Sequence, residues 1–250
     1  MSERVQVIGS FVSPYVRKVL VVLHHKGIDY EIDPIVPFYG DDRFARLSPL
    51  RRIPVLIDGD VVLSDSSVIC QYLEDRWPDP AVYPRDVADR ARARWVEEFA
   101  DTRMGDVFIW RYFNQLVIRR FVWGEEPDQA LVAKTLAEDV PAVLGYLESI
   151  APTDGFLFGA LSIADVSVAT FFRNAGFARF SIDAARWPRA AAWVACVLAS
   201  EPFQRVAPIE DRLLRTPIPQ VREALAEMGV PLMRETYGLP EPRRGVMPLA

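Results

Sequence analysis

The chain has 250 residues, half of them apolar and a quarter charged, with a formal net charge of −5. It can bury the core of one large domain or two modest ones, which excludes collagen-like, mucin-like and wholly disordered chains. The mildly acidic balance argues against a broad nucleic-acid-binding surface, and without an apolar run of about 18 residues no membrane span is expected.

The N-terminal Met1-Ser2-Glu3-Arg4 leads directly into a strand-like segment, so no secretory leader is expected. Two cysteines, Cys70 and Cys196, cannot build a disulfide framework. A reducing, cytoplasmic setting is expected, with both thiols buried and inert inside apolar helical patterns. Residues 4–9 alternate apolar and polar and read as a strand. From Pro14 to Lys26 the apolar residues recur at helical spacing, with Ser13 as N-cap, Pro14 at the first position and Gly27 as the stop. Tyr30 to Ile35 reads as a second strand, so the chain opens as a βαβ unit with a parallel pair. A short helix is expected near Arg43–Leu47. Residues 53–57 and 61–63 read as a hairpin around Asp58-Gly59-Asp60, and Ser64-Asp65-Ser66-Ser67 opens a helix that ends at Trp77-Pro78.

A Pro-rich connector follows, a candidate domain boundary between residues 1–78 and 87–215. From Val87 to Leu214 the texture is helical, with segments 87–122, 129–150, 163–178 and 187–200. Within it, Ser162 and Asp165 have capping-box spacing, flanked by Leu161 and Val166 as a hydrophobic staple. Residues 216–250 form a Pro-rich extension with a short helix at 220–228, the rest being an extended tail lying on the body or partly mobile. Arg119-Arg120 and Arg243-Arg244 read as solvated charge runs. His24 and His25 read as a solvated or packing pair, and no metal site is expected.

Three features of the first domain carry chemistry. Ser13 stands where a strand ends and a helix begins, where unpaired amides stabilise an anion and lower a thiol pKa. It fits a plain N-cap equally. Ile53, before Pro54, can offer main-chain groups to a peptide at a strand edge. Asp65 and Ser66 open another helix, where the hydroxyl and amides suit a carboxylate and Asp65 suits an ammonium. Plain capping again fits both residues.

The motifs Ser13-Pro14-Tyr15-Val16-Arg17-Lys18-Val19, Ser48-Pro49-Leu50-Arg51-Arg52-Ile53-Pro54-Val55-Leu56 and Leu63 through Leu73 resemble the glutathione-binding half of the glutathione transferase superfamily. The Ser162–Asp165 box and Trp187-Pro188 through Trp193 resemble its helical half, and the resemblance covers about residues 5–207. It implies an α/β thioredoxin-like domain followed by an all-α domain. It implies that Ser13 bonds the glutathione sulfur, that Ile53 pairs with the cysteinyl part, that Pro54 is the family's cis-proline, and that Asp65 and Ser66 hold the γ-glutamyl group. The loop before Ile53, which usually offers a Gly, reads Arg51-Arg52. Arg52 either adds a cation for a glutathione carboxylate or narrows the site. No tyrosine ends the first strand and no cysteine stands at position 13, so a Ser-type mechanism is expected. The electrophile site is expected on the first long helix, at Met104, Phe108, Arg111 and Tyr112.

The leading expectation is a cytoplasmic, homodimeric enzyme that conjugates glutathione, its co-substrate, to small apolar electrophiles, with no metal, nucleic-acid or membrane partner. Glutathione-dependent isomerisation, ether cleavage or reduction is the alternative within enzymes. A non-catalytic binding or regulatory module of the same fold is the alternative outside them.

Overall fold

The computed structural model describes residues 4–244. The leader expectation at Met1–Glu3 and the last part of the expected tail, 245–250, lie outside the described residues. The chain forms two compact units: residues up to Pro80 together with those from Glu201 onward, and residues 81–200 between them.

The first unit is built on a four-stranded sheet. Strand β1 (Val5–Ile8) is followed by α1 (Pro14–Lys26), β2 (Tyr30–Asp33), a 3₁₀ turn at Pro37–Tyr39 and α2 (Asp42–Leu47). Strands β3 (Val55–Asp58) and β4 (Val61–Leu63) then form a hairpin, and α3 (Ser66–Arg76) closes the series. The strand order is β2-β1-β3-β4. β1 and β2 run parallel, Val5 opposite Tyr30. β3 runs antiparallel to β1, Ile8 opposite Val55. This mixed sheet with helices is the thioredoxin-like arrangement expected. β2 stops two residues short of the expected Ile35 because Pro34 has no N–H to continue the ladder. α1 has Ser13 as its N-cap and Pro14 in its first turn, and it ends on Gly27 at φ 65°, whose amide bonds the His24 and Leu23 carbonyls. Lys26 Nζ then ties α1 to the end of α3 by donating to Glu74 Oε2 at 2.7 Å, the Trp77 carbonyl at 2.7 Å and the Pro80 carbonyl at 2.9 Å.

The second unit is helical throughout. α4 (Val87–Phe99) runs on in π-helical geometry over Ala100–Ile118 and returns to α-helix in α5 (Arg119–Trp123). α6 (Gln129–Lys134), a π-turn at Thr135–Asp139 and α7 (Val140–Ile150) make one further continuous helix. The 3.6-residue pattern foretold both lengths but not the widened i→i+5 turns, which carry no local sequence signal of their own. α8 (Ile163–Phe177) is almost wholly buried, and α9 (Pro188–Leu198) packs on it. The expected capping box closes at the start of α8. Cys70 is buried as expected, whereas Cys196 on α9 is only half-buried.

The chain then returns to the first unit. α10 (Glu201–Leu213) packs on α1, with the buried Arg17 guanidinium paired to the buried Glu210 carboxylate. The division expected from the sequence ran the helical domain to residue 215; by contact, α10 groups with the sheet. After α11 (Val221–Glu227) the chain runs along the outer edge of β2, where Leu232 bridges Ile32 in parallel. Arg243, read from sequence as part of a solvated run, is half-buried there and binds Asp42 and the Gly40 carbonyl.

Candidate functional site

Three local structures converge at one end of the sheet. The first is the start of α1. Ser13 sits in extended backbone, φ −73° and ψ 130°, and its Oγ accepts from the Val16 amide at 3.4 Å. That bond uses the hydroxyl as an acceptor and leaves its O–H for another partner. The preceding turn is fixed by Ser10, whose carbonyl accepts from the Ser13 amide at 3.0 Å and whose Oγ accepts from the Val12 amide at 3.3 Å.

The second is the turn that presents Ile53. Buried Ser48 clamps it from both sides: its Oγ donates to the Arg52 carbonyl at 2.8 Å and accepts from the Arg52 amide at 3.0 Å. The Arg51 amide donates to the Ser48 carbonyl at 2.8 Å. Arg51 lies at φ 51°, in the left-handed region that favours glycine, at the position where the resembling family offers one. The Ile53–Pro54 peptide is cis, as the resemblance implied. Ile53 is buried, and its amide and carbonyl take no main-chain hydrogen bond among the described residues. Arg52 is exposed beside it.

The third is the start of α3. Asp65 is its N-cap, with Oδ1 accepting from the Ser67 and Val68 amides at 3.0 Å each, and Ser66 is buried as the first helical residue. The plain capping role read for Asp65 is therefore present; it occupies one oxygen of an otherwise exposed carboxylate.

Two residues that the sequence did not single out bring these pieces together. Gly9, at φ 150°, ends β1 so close to its neighbours that a methyl group on it would lie 2.5 Å from Val16 Cγ2 and 3.1 Å from Ile53 Cβ. It thus seats the first turn of α1 against Ile53. Lys18, fully buried on α1, donates from Nζ to Ser67 Oγ at 3.0 Å and ties that turn to the start of α3. The available signal for Gly9 was a glycine ending a strand, which alone does not distinguish a close approach from a turn. Lys18 carried no signal, since a lysine on a helix is ordinarily solvated.

The residues expected to meet an electrophile lie in the second unit. Met104 and Phe108 are fully buried, and Tyr112 is nearly so. Phe108 packs on Phe172 and Phe180 with ring centroids 4.9 and 5.7 Å away, and Tyr112 donates to the Ala178 carbonyl at 2.9 Å. Burial pushes the Tyr112 phenol above its ordinary pKa, so it stays a proton donor. Arg111 belongs to a closed network with Asp106, Asp139 and Arg103: Arg111 reaches Asp106 at 2.9 Å and Asp139 at 3.3 Å, and Arg103 reaches Asp139 at 2.7 Å.

A thioredoxin-like sheet followed by a helical unit, with a serine at the first helix start, defines a class of fold. Comparison with known proteins ties its first unit to a family. Residues 12–76 match the family model described as the N-terminal domain of glutathione S-transferase. The Arabidopsis thaliana protein named glutathione S-transferase Z1 is 36% identical over 92 residues, which are 36% of this chain and 42% of that protein. A glutathione S-transferase structure from Rhodospirillum rubrum superposes with a TM-score of 0.73 at 24% identity, covering 81% of this chain and 91% of that one. The human glutathione-S-transferase T1-1 structure gives 0.74 at 23% identity, covering 92% and 100%. Residues 12–76 thus carry the N-terminal domain of glutathione S-transferases, and the likeness to the solved structures shows the fold shared with them. The chain's matches span 42%, 47% and 48% of the length of three curated relatives.

Proposed function

We propose that this protein is a cytoplasmic glutathione transferase that ionises the glutathione thiol at Ser13 and conjugates it to small apolar electrophiles. The observation that carries the reading is the Ser13 hydroxyl, placed at the start of a thirteen-residue helix with its O–H available to a sulfur anion. The partial positive charge of the α1 N-terminus and that hydrogen bond both favour thiolate over thiol. The proton leaves to solvent. The sulfur lone pair forms a bond to an electrophilic carbon, and the leaving group departs with its bonding electrons. Main-chain groups of Ile53, the carboxylate of Asp65, the hydroxyl of Ser66 and the cation of Arg52 hold the rest of the tripeptide. The protein supplies positioning and anion stabilisation and uses no covalent intermediate of its own. Homodimerisation belongs to the same reading, supported by the family relationship.

Glutathione titrated by calorimetry binds the wild-type protein in the millimolar range or tighter, and the ultraviolet absorbance of the complex reports thiolate at neutral pH. Ser13→Ala lowers kcat/KM on the order of 10²-fold, as loss of one anion-stabilising donor does. Absence of binding, or a thiol that titrates in the complex as it does in water, overturns the reading. Net consumption of glutathione per turnover separates conjugation from isomerisation, which consumes none.

A further inference from the structure

The C-terminal segment does more than cover an edge. The Ile32 amide donates to the Pro231 carbonyl at 3.0 Å and the Met233 amide to the Ile32 carbonyl at 3.1 Å, seating the segment on β2. Further on it crosses the entry to α2, where Gly40 bridges Gly238. There the Asp41 amide donates to the Tyr237 carbonyl at 2.8 Å, the Leu239 amide to the Tyr39 carbonyl at 2.7 Å and the Arg243 amide to the Phe38 carbonyl at 2.8 Å. Side chains repeat the connection. Arg43 Nη2 donates to the Thr236 carbonyl at 2.6 Å, and Arg243 donates to Asp42 Oδ1 at 3.1 Å and to the Gly40 carbonyl at 2.7 Å. The anchor is Asp33, fully buried at the end of β2. It accepts from Arg222 at 2.8 Å, from Thr236 Oγ1 at 3.2 Å and from the Tyr237 amide at 2.7 Å.

Beyond β2, what the segment grips lies between Phe38 and Arg43, at the entry to α2 and in its first turn. Asp41, whose amide it holds, caps that helix by accepting from the Phe44 amide at 2.8 Å. α2 ends on Ser48, the residue that clamps the turn presenting Ile53. Asp42, which Arg243 binds, also faces the Arg51 guanidinium at 3.8 Å. A continuous series of bonded groups thus runs from the tail through α2 to the Ile53 turn. A turn held in left-handed backbone by a non-glycine residue needs such support to stay in one conformation.

We propose that residues 231–243 are a positioning strap for glutathione: they hold α2 and, through Ser48, keep the Arg51–Ile53 turn in its binding conformation without touching the substrate. The inference rests on the reading that this turn holds glutathione, and it concerns how the site is kept ordered. A loosened turn lowers the fraction of molecules ready to bind and weakens apparent affinity by that fraction, while the reaction at full occupancy is unaffected.

The test uses the full chain carrying Arg243→Ala and Leu239→Pro, which removes the bonds to Asp42, Gly40 and Tyr39 and leaves the Asp33 anchor. Arg234→Ala, an exposed residue of the same segment, is the control. Amide hydrogen exchange accelerates at residues 38–53 in the double variant and stays protected in β1 and α1. KM and Kd for glutathione rise on the order of tenfold, equivalent to about 1.4 kcal/mol, with kcat at saturating glutathione retained. The control matches wild type in every readout. If exchange at residues 48–53 is unchanged, or if it accelerates without loss of affinity, the strap does not position the turn. A fall in kcat alone overturns the proposal as well. Should the double variant fold poorly, Arg243→Ala alone is judged by the same exchange and affinity readouts. If wild-type protein binds no glutathione, the proposed function fails by itself; exchange at residues 48–53 then decides the strap, acceleration supporting it and no change overturning it.

Discussion

Gly9 is where single-atom geometry bears most directly on the site. Its backbone, at φ 150°, is one that side chains rarely adopt, and the space a Cβ would need is taken by Val16 and Ile53. Both neighbours are buried and neither is the mobile end of a long side chain. Gly9→Ala therefore separates the first turn of α1 from the Ile53 turn. The expected cost is about 1–3 kcal/mol of stability from overpacking, read as a lower denaturant midpoint. Glutathione affinity falls with it, because two of the three elements of the site are pushed apart. Arg51 is the opposite case, a side chain present where glycine is usual. Its left-handed backbone is fixed by the Ser48 clamp, and its long pairing with Asp42 at 3.8 Å contributes little.

Among the elements, α8 depends most on one residue. The buried Asp165 carboxylate accepts from the Ser162 amide at 2.8 Å, Ser162 Oγ at 2.6 Å, the Leu157 amide at 2.9 Å and Trp193 Nε1 at 2.7 Å. One carboxylate thus caps α8, fixes the loop before it and orients the largest buried ring of α9. Burial pushes its pKa up and these donors pull it back only in part. Asp165→Ala strands four donors inside the unit, and about 3–5 kcal/mol of stability is lost, measured by chemical unfolding. Asp165→Asn, which keeps one accepting oxygen, loses less. The Ser162–Asp165 spacing made the cap legible from sequence, as Ser13-Pro14 and Gly27 did for α1 and Asp58-Gly59 for the hairpin, because each of these signals acts within a few residues. Nothing local announced the Trp193 and Leu157 bonds, the backbone of Arg51 or the pairing of Leu232 with Ile32. Each of those depends on which distant segment arrives alongside. The tail is the clearest instance: its prolines exclude regular structure but leave its few remaining amides free to pair with an edge.

At the scale of the molecule, pH reaches stability through groups far from Ser13. His24 is desolvated beside Tyr30, with Nε2 3.3 Å from the phenol, and burial, aided by the Arg205 cation, holds its pKa below the ordinary 6.5. The unfolded chain therefore takes up this proton first. The contribution is fully present above about pH 6.5 and is lost as the pH falls below it toward the folded-state value. Asp33 and Asp165, whose carboxyls burial pushes up, act in the opposite sense at lower pH. Urea midpoints measured across mildly acidic pH fall for wild type and fall less for His24→Gln, which isolates the imidazole from the carboxyls.

The first unit is assembled from the two ends of the chain, and synthesis from the N-terminus imposes an order on it. Residues 81–200 leave the ribosome complete and free to fold while Arg17 still awaits Glu210 and the outer edge of β2 awaits Leu232. Throughout that interval Arg17 lacks the Glu210 carboxylate and a strand edge is open to other chains. The nascent protein is thus exposed to misassociation until two later segments arrive: α10, which brings Glu210 to Arg17, and then the stretch at Leu232, which covers the strand edge.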